Sequence, residues 1–312
     1  MTYIPHGRIG GTAIAAICGL SRWMKPIDVF MALTHPEENQ PDLAETNEFV
    51  EWGQRLESPV ADAYAEKTGV ELIRIPAPGH IFHPDYDFAA ATPDRLIKGQ
   101  QRGLEVKTAG ISQARLWADG QVPDAYLIQV AWYQFVTRLR DPWDIATLIG
   151  GNSFRIVPIE YSEGLGDQLL NIAGEFWTNH VLTGIPPEVE DSPNYERAAK
   201  RLFPRIERRV YAIASIQENE IGESLVRLNE EKKRIESQIQ KYENELMMAI
   251  QDQEGIEGIG FKASFFERKG RTTIDTKALI QGQGIPADIV EQYTKQGEST
   301  RVFKFTAKAD GE

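Results

Sequence analysis

The stretch ATPDRLIKGQQRGLEVKTAG, residues 91–110, sets Asp94, Glu105 and Lys107 around one short turn. Two carboxylates supply the hard oxygen ligands that Mg²⁺ takes, and Mg²⁺ bridges readily to phosphate. A metal held there lowers the pKa of a bound water and offsets charge on a phosphoryl group in flight. A lysine two residues past the second acid is placed to orient that water. The competing reading is a solvated cluster of opposite charges.

The acid-x-lysine triplet alone does not separate these readings. The chain has five: Glu105–Lys107, Glu230–Lys232, Glu231–Lys233, Glu267–Lys269 and Asp275–Lys277. Those of the 230s fall in a polar helical stretch and read as a solvated face. Only the first lies among apolar strand residues with an aspartate across a turn. A turn centred between Gln100 and Gln101 pairs Asp94 with Lys107 and Leu96 with Glu105. Residues paired across strands share a face, as do residues two apart, so the trio converges on one side of a sheet. A half-residue shift of the turn centre would reverse that.

These residues need a frame. A glycine turn enters a short helix at Thr12–Cys18, and Pro26 opens a second helix to about Leu33. From about Glu45 to Lys67, Phe49, Trp52, Leu56, Val60 and Tyr64 recur at helical spacing, and Gly69 stands at the C-cap. Strands are expected at 70–75, 87–92, 94–97 and 103–107, and helices at about 110–117 and 124–139. A hairpin across Gly150 and Gly151 joins strands 143–150 and 153–161, and a helix covers 163–182. Helix, strands, helix, strand is the order of an α/β core, a mixed central sheet flanked by helices.

Three segments follow: a core over 1–195, a basic linker over 196–216 and an appendage over 217–312. The linker holds Lys200, Arg201, Arg205, Arg208 and Arg209. The appendage opens with a charged helix at 217–252 carrying Leu225, Leu228, Ile235, Ile239, Tyr242, Leu246 and Ile250 at coiled-coil-like spacing. A small α+β tail of two or three strands around a short helix completes it.

Composition removes some classes. Cys18 is the only cysteine, which excludes an intrachain disulfide, a cysteine-based zinc site and a four-cysteine iron–sulfur cluster. The start MTYIPHGRIGG lacks the pattern of a secretory signal, and no apolar run is long enough to span a membrane. A reducing cytoplasm is the expected compartment. A net charge of −12 argues against a wholly nucleic-acid-coated surface. It permits a locally basic track, or a ring that is acidic outside and basic within. His80 and His83, three apart on a strand, point to opposite faces and read as structural.

Four blocks in chain order, RIGGTAIAAICGLS, WGQRLESPVADAYAEKTG, TPDRL with LEVK, and YLIQVAWYQFVT, resemble the lambda-exonuclease/YqaJ-type viral recombinase family of the PD-(D/E)XK nuclease superfamily. They span about half the chain. The resemblance implies a PD-(D/E)XK fold with a C-terminal helical and β appendage. It implies that Asp94, Glu105 and the main-chain carbonyl of Val106 ligate Mg²⁺, with Mn²⁺ as substitute, and that Glu57 reaches the metal site from its helix. Lys107 would assist the attacking water, and Gln129 would line the site. Arg8, Thr12 and Thr92 would hold a DNA 5′-phosphate.

The implied activity is 5′→3′ exonucleolytic degradation of linear double-stranded DNA, leaving 3′ tails for phage or prophage recombination in the bacterial cytoplasm. The implied partners are double-stranded DNA ends, a single-strand annealing protein and further copies of the chain in a ring-shaped trimer. There are departures: Ala131 replaces the second glutamine of the usual Q-V-Q block, and no arginine occurs in Thr108–Gln113. Two alternatives stand beside this reading. One is a structure-selective or end-processing nuclease, whose iron–sulfur versions the single cysteine disfavours. The other is a non-catalytic assembly protein on a degenerate nuclease scaffold.

Overall fold

The computed structural model describes residues 7–36, 48–76, 79–203, 211–267 and 275–294. The chain divides into two compact units, Met1–Phe203 and Pro204–Glu312.

In the first unit, α1 (Gly11–Ile17) and α2 (Pro26–Thr34) precede the long helix α3 (Glu48–Thr68). Then come β1 (Leu72–Ile73), β2 (Ile81–Phe82), β3 (Ala90–Ala91), β4 (Arg95–Ile97) and β5 (Gly103–Ala109). A 3₁₀ segment (Ile111–Gly120) leads to α4 (Asp124–Thr137), and β6 (Trp143–Ile149) and β7 (Ser153–Ile159) form the expected hairpin. α5 (Glu163–Phe176) continues as a π-helical turn, and α6 (Pro193–Leu202) ends the unit. The five-stranded sheet has the order β1-β4-β5-β6-β7. Only β5 and β6 run parallel; the other neighbours are antiparallel. This is the mixed sheet flanked by helices that the sequence predicts.

The strand period sorts the side chains of β5 into two layers. Leu104 and Val106, with Ala146 of β6, pack against Val60, Ala61 and Tyr64 of α3. Ile145 of β6 belongs to the other, larger core with α1, α2 and α4. Glu105 and Lys107 alternate with Leu104 and Val106 and so project into that second layer.

Several expectations shift. The strand at 87–92 shrinks to β3 and pairs with β2, outside the main sheet and unforeseen from the pattern. The helix expected at 110–117 is a 3₁₀ turn broken at Ala118–Asp119, where Asp119 takes φ 52°. The α3 stripe is buried only from Val60 onward. Phe49 and Trp52 are 84% and 56% exposed, because α3 packs on the sheet with its C-terminal half. The expected core boundary at residue 195 falls inside α6, whose Ala198 is buried in the core, so the first unit runs to Phe203.

The second unit holds α7 (Ile216–Ile250), a hairpin of β8 (Gly255–Gly258) and β9 (Phe261–Ser264), α8 (Thr276–Gly282) and α9 (Ala287–Tyr293). A capping box starts α7: Ser215 Oγ accepts the Glu218 N–H and Glu218 Oε2 accepts the Ser215 N–H. Ile250 is buried, whereas Leu228, Ile235, Ile239 and Tyr242 are exposed. Arg205, Arg208, Arg209 and the last stretch of the expected α+β tail, residues 295–312, lie outside the described residues. Among the described residues, no helix is long and apolar enough to cross a membrane.

Candidate active site

The β4–β5 hairpin pairs Arg95 with Leu104 and Leu96 with Gly103. The expected partner of Leu96 was Glu105, so the observed register is slipped by two residues. An even slip preserves the faces. Continued by one residue, it sets Asp94 across from Glu105 instead of Lys107. Asp94 Oδ2 accepts the Val106 N–H at 2.7 Å, which fixes the acid against β5 just before its own strand begins.

Glu105 is 2% exposed. Its Oε1 accepts from Lys107 Nζ and, at 2.7 Å, from Gln129 Nε2 of α4. Its Oε2 is buried with no N–H donor, while the Asp94 carboxyl lies within side-chain hydrogen-bonding range of Glu105. Lys107 also lies over the Tyr126 ring, with Nζ 4.8 Å from the centroid, and Tyr126 stacks on the buried Trp117. The ammonium is thus held between a carboxylate and an aromatic face.

Electrostatics follow from this burial. The Asp94 carboxyl is pushed well above its usual range by burial and then by the Glu105 charge. Burial also raises Glu105, against the opposing pull of Lys107. Burial alone would lower Lys107, but the charges of Glu105 and Asp94 outweigh it and raise its pKa. A cation beyond Lys107 would favour the ionised form of both acids.

The residues fit a divalent ion. An uncompensated carboxylate oxygen in a closed site costs several kcal/mol unless something coordinates it, and hard oxygens suit Mg²⁺ or Mn²⁺. Among the described residues, no three histidine, cysteine or acidic side chains converge on one point, so the site offers an acid pair.

Four of the expected site residues, Asp94, Glu105, Lys107 and Gln129, therefore come together. Glu57 does not join them as a third ligand. Its Oε1 accepts from Arg95 Nη1 at 2.6 Å, and Arg95 also donates to the Asp94 carbonyl and to Ser58 Oγ. Glu57 belongs to the helix of the opposite layer and acts on Asp94 and Glu105 through its charge, which raises both.

Arg8, Thr12 and Thr92 lie around α1 and the β2–β3 pair. The segment bearing Arg8 is tied there by a parallel bridge from Ile9 to Ala89. The Arg8 guanidinium sits 4.0 Å from the Phe82 ring centroid, Thr92 Oγ1 lies 2.9 Å from His80 Nδ1, and Thr12 is half-buried in the first turn of α1. His83 is buried and stacked on Phe135 with centroids 5.0 Å apart, a packing role, as expected.

Sequence reading missed Arg95, Tyr126 and Tyr133. Tyr133 Oη accepts from Gln129 Nε2 at 2.9 Å. The spacing of Tyr126, Gln129 and Tyr133, three and then four residues, was the available signal that one face of this helix serves the site.

The model of the YqaJ-like viral recombinase domain matches residues 4–140. The uncharacterized protein YqaJ of Bacillus subtilis (strain 168) is 29% identical over 275 residues, covering 87% of this chain and 83% of the relative. An alkaline exonuclease from Laribacter hongkongensis superposes with a TM-score of 0.47 at 16% identity, over 63% of this chain and 95% of the other. A phage-related exonuclease from Haemophilus somnus 129PT gives 0.39 at 13% identity, over 57% and 96% of the chains. The fold assignment rests on the chain's own topology.

Proposed function

We propose that the protein, whose residues 4–140 match the model of the YqaJ-like viral recombinase domain, is a metal-dependent deoxyribonuclease. Specifically, it degrades linear double-stranded DNA from 5′ ends and leaves 3′ single-stranded tails for recombination by strand annealing. The observation that carries this reading is the acid pair of half-buried Asp94 and buried Glu105, with Glu105 Oε2 lacking a donor and Lys107 alongside.

In this reading Asp94, Glu105 and the Val106 carbonyl hold Mg²⁺, with Mn²⁺ as a substitute. The bound ion supplies Lewis acidity and offsets negative charge on the scissile phosphate. Lys107, steadied by Glu105 and Tyr126, orients the attacking water. Gln129 holds Glu105 in place. Arg8, Thr12 and Thr92 grip the terminal 5′-phosphate, with Arg8 supplying a cation in a chain that lacks an arginine directly after Lys107.

An acidic protein acting on DNA is reconciled by assembly into a ring, a trimer by family resemblance, in which only the lumen need be basic. The exposed seam of α7 suits docking of another helix, and a single-strand annealing protein is the expected partner. The intact hydrogen-bonded set around Glu105 speaks against a degenerate scaffold.

Degradation of 5′-labelled linear duplex in Mg²⁺, beside covalently closed circular duplex, tests the proposal. Wild type should consume only the linear substrate and release label first, and Glu105→Ala and Lys107→Ala should be inactive yet folded. Cleavage of the circle would establish an endonuclease instead. Retained activity in Glu105→Ala would reject the site.

A further inference from the structure

We propose that Tyr133 and Gly11 are positioning residues that lock the Gln129 amide and so decide which Glu105 oxygen the protein holds and which stays open to a divalent cation. The inference rests on the metal-site reading above and assigns roles to two residues outside the expected set.

Gln129 Nε2 carries two hydrogens, and both are used. One goes to Glu105 Oε1 at 2.7 Å and the other to Tyr133 Oη at 2.9 Å. An ionised carboxylate only accepts, so the amide nitrogen and not its oxygen must face Glu105. Turning the amide would set its oxygen against the Glu105 carboxylate and lose that bond inside a buried site, where an unmet hydrogen-bonding group costs about 1–3 kcal/mol, while the Tyr133 hydroxyl could turn to donate.

Tyr133 stands one helical turn beyond Gln129 on α4 and is 3% exposed, so its ring has little room to move. Gly11, the first residue of α1, closes the arrangement from the other side. A Cβ there would lie 2.6 Å from Tyr133 Cε1 and 2.7 Å from Gln129 Cγ. The helix therefore presses bare backbone onto both side chains, and any larger residue must displace one of them.

The two oxygens of Glu105 are made unequal in consequence. Oε1 is occupied by Lys107 and Gln129, while Oε2 has no N–H donor. With the amide unlocked, Oε1 would keep only Lys107, and the carboxylate could exchange its oxygens by turning about its last bond.

The test is a double-mutant cycle read by Mn²⁺ titration calorimetry on wild type, Tyr133→Phe, Gln129→Ala and the double variant. Tyr133→Phe removes one oxygen and should raise the Mn²⁺ Kd about 10-fold, the usual scale for losing a hydrogen-bond partner behind a metal ligand. It should lower kcat on linear duplex while leaving the DNA KM unchanged. In the Gln129→Ala background it should add nothing, because it acts only through that amide. Equal losses in both backgrounds, or none in wild type, overturn the inference. Gly11→Ala, reaching the same amide from α1, carries the same cycle if Tyr133→Phe fails to fold, as judged by circular dichroism. A wild-type protein that takes up no Mn²⁺ overturns the metal site itself, a result distinct from a wild type that binds and a Tyr133→Phe that binds equally well.

Discussion

The carboxylate of Asp94 accepts the backbone N–H of Val106, so the acid that precedes β4 is fastened to the strand carrying Glu105 and Lys107. That bond stabilises the ionised form of Asp94, yet burial and the neighbouring Glu105 charge win, and its pKa ends well above the ordinary range. The sign for stability follows. A carboxyl raised in the native state contributes stability below its unfolded pKa, and that contribution is lost as pH rises through the native value. At neutral pH the metal-free site is therefore a stored cost.

Asp94→Asn should reveal that cost. Asparagine keeps an oxygen to accept the Val106 N–H while removing the titratable carboxyl beside Glu105. The metal-free variant should melt roughly 2–4 °C higher than wild type, the shift that about 1 kcal/mol produces in a domain of this size. Wild type should gain about 2.7 kcal/mol at Mg²⁺ 100-fold above its Kd, and the variant should gain little. Calorimetric melts with Mg²⁺ and with a chelator check both. An unchanged variant melting point in the chelator would show that the two acids do not repel.

Arg95 separates Glu57 from the acid pair, and its removal should matter more for folding than for metal binding. It is 7% exposed and donates to Glu57, to Ser58 and to the Asp94 carbonyl. Arg95→Met leaves Glu57 without its counter-charge and should cost about 3 kcal/mol in urea unfolding. Arg95→Lys keeps the charge but not the planar fork, and should still lose about 1–2 kcal/mol.

Glu57 is held by Arg95 and not by the acid pair, so Glu57→Gln should lower the rate on linear duplex about 10-fold. Glu105→Gln should lower it by roughly 10³-fold or more, as loss of a ligand that stabilises transition-state charge would. Single-turnover rates on one linear duplex compare the two. Equal losses would make Glu57 a ligand after all.

The parts of this site that were legible in the sequence were those written in local spacing. Glu105 and Lys107 lie two apart in an apolar run, and the helical period placed Gln129 in an apolar helix. Parity made the convergence of Asp94 and Glu105 robust even though the register slipped by two residues. What was not legible depended on contacts distant in sequence. Gly11 meets Tyr133 across more than a hundred residues, and Arg95 captures Glu57 from a strand whose edge could not be aligned with α3 in advance. The β2–β3 pair was hidden because two-residue strands carry no period.

Gly103 shows how tightly the hairpin is built. A Cβ there would lie 2.5 Å and 2.7 Å from two ring carbons of Trp143 and 2.9 Å from the Arg95 carbonyl. Trp143 is fully buried and the carbonyl is backbone, so neither can yield cheaply. Gly103→Ala should destabilise the protein by about 1–3 kcal/mol, the range for overpacking a core. It should also lower nuclease activity, because the strand that would move carries Glu105. Urea titration and the linear-duplex assay measure both, and a variant as stable as wild type would show that the hairpin has slack.

His83 contributes to the acid sensitivity of the fold away from Asp94 and Glu105. It is buried against Phe135 and Tyr86, and its pKa is lowered from 6.5 by burial and then by the Arg138 charge, with Asp85 opposing. The unfolded chain therefore takes up a proton on this ring at higher pH than the native protein does. The sign is that the contribution of His83 is fully present above the unfolded value and is lost as pH falls through the native one. Urea unfolding should show wild type losing stability between about pH 7.5 and pH 5, with a shallower slope for His83→Phe, whose ring can keep the stack on Phe135. Parallel slopes for the two proteins would mean that His83 stays neutral in the unfolded chain or is charged in the native one, and the assignment would fail.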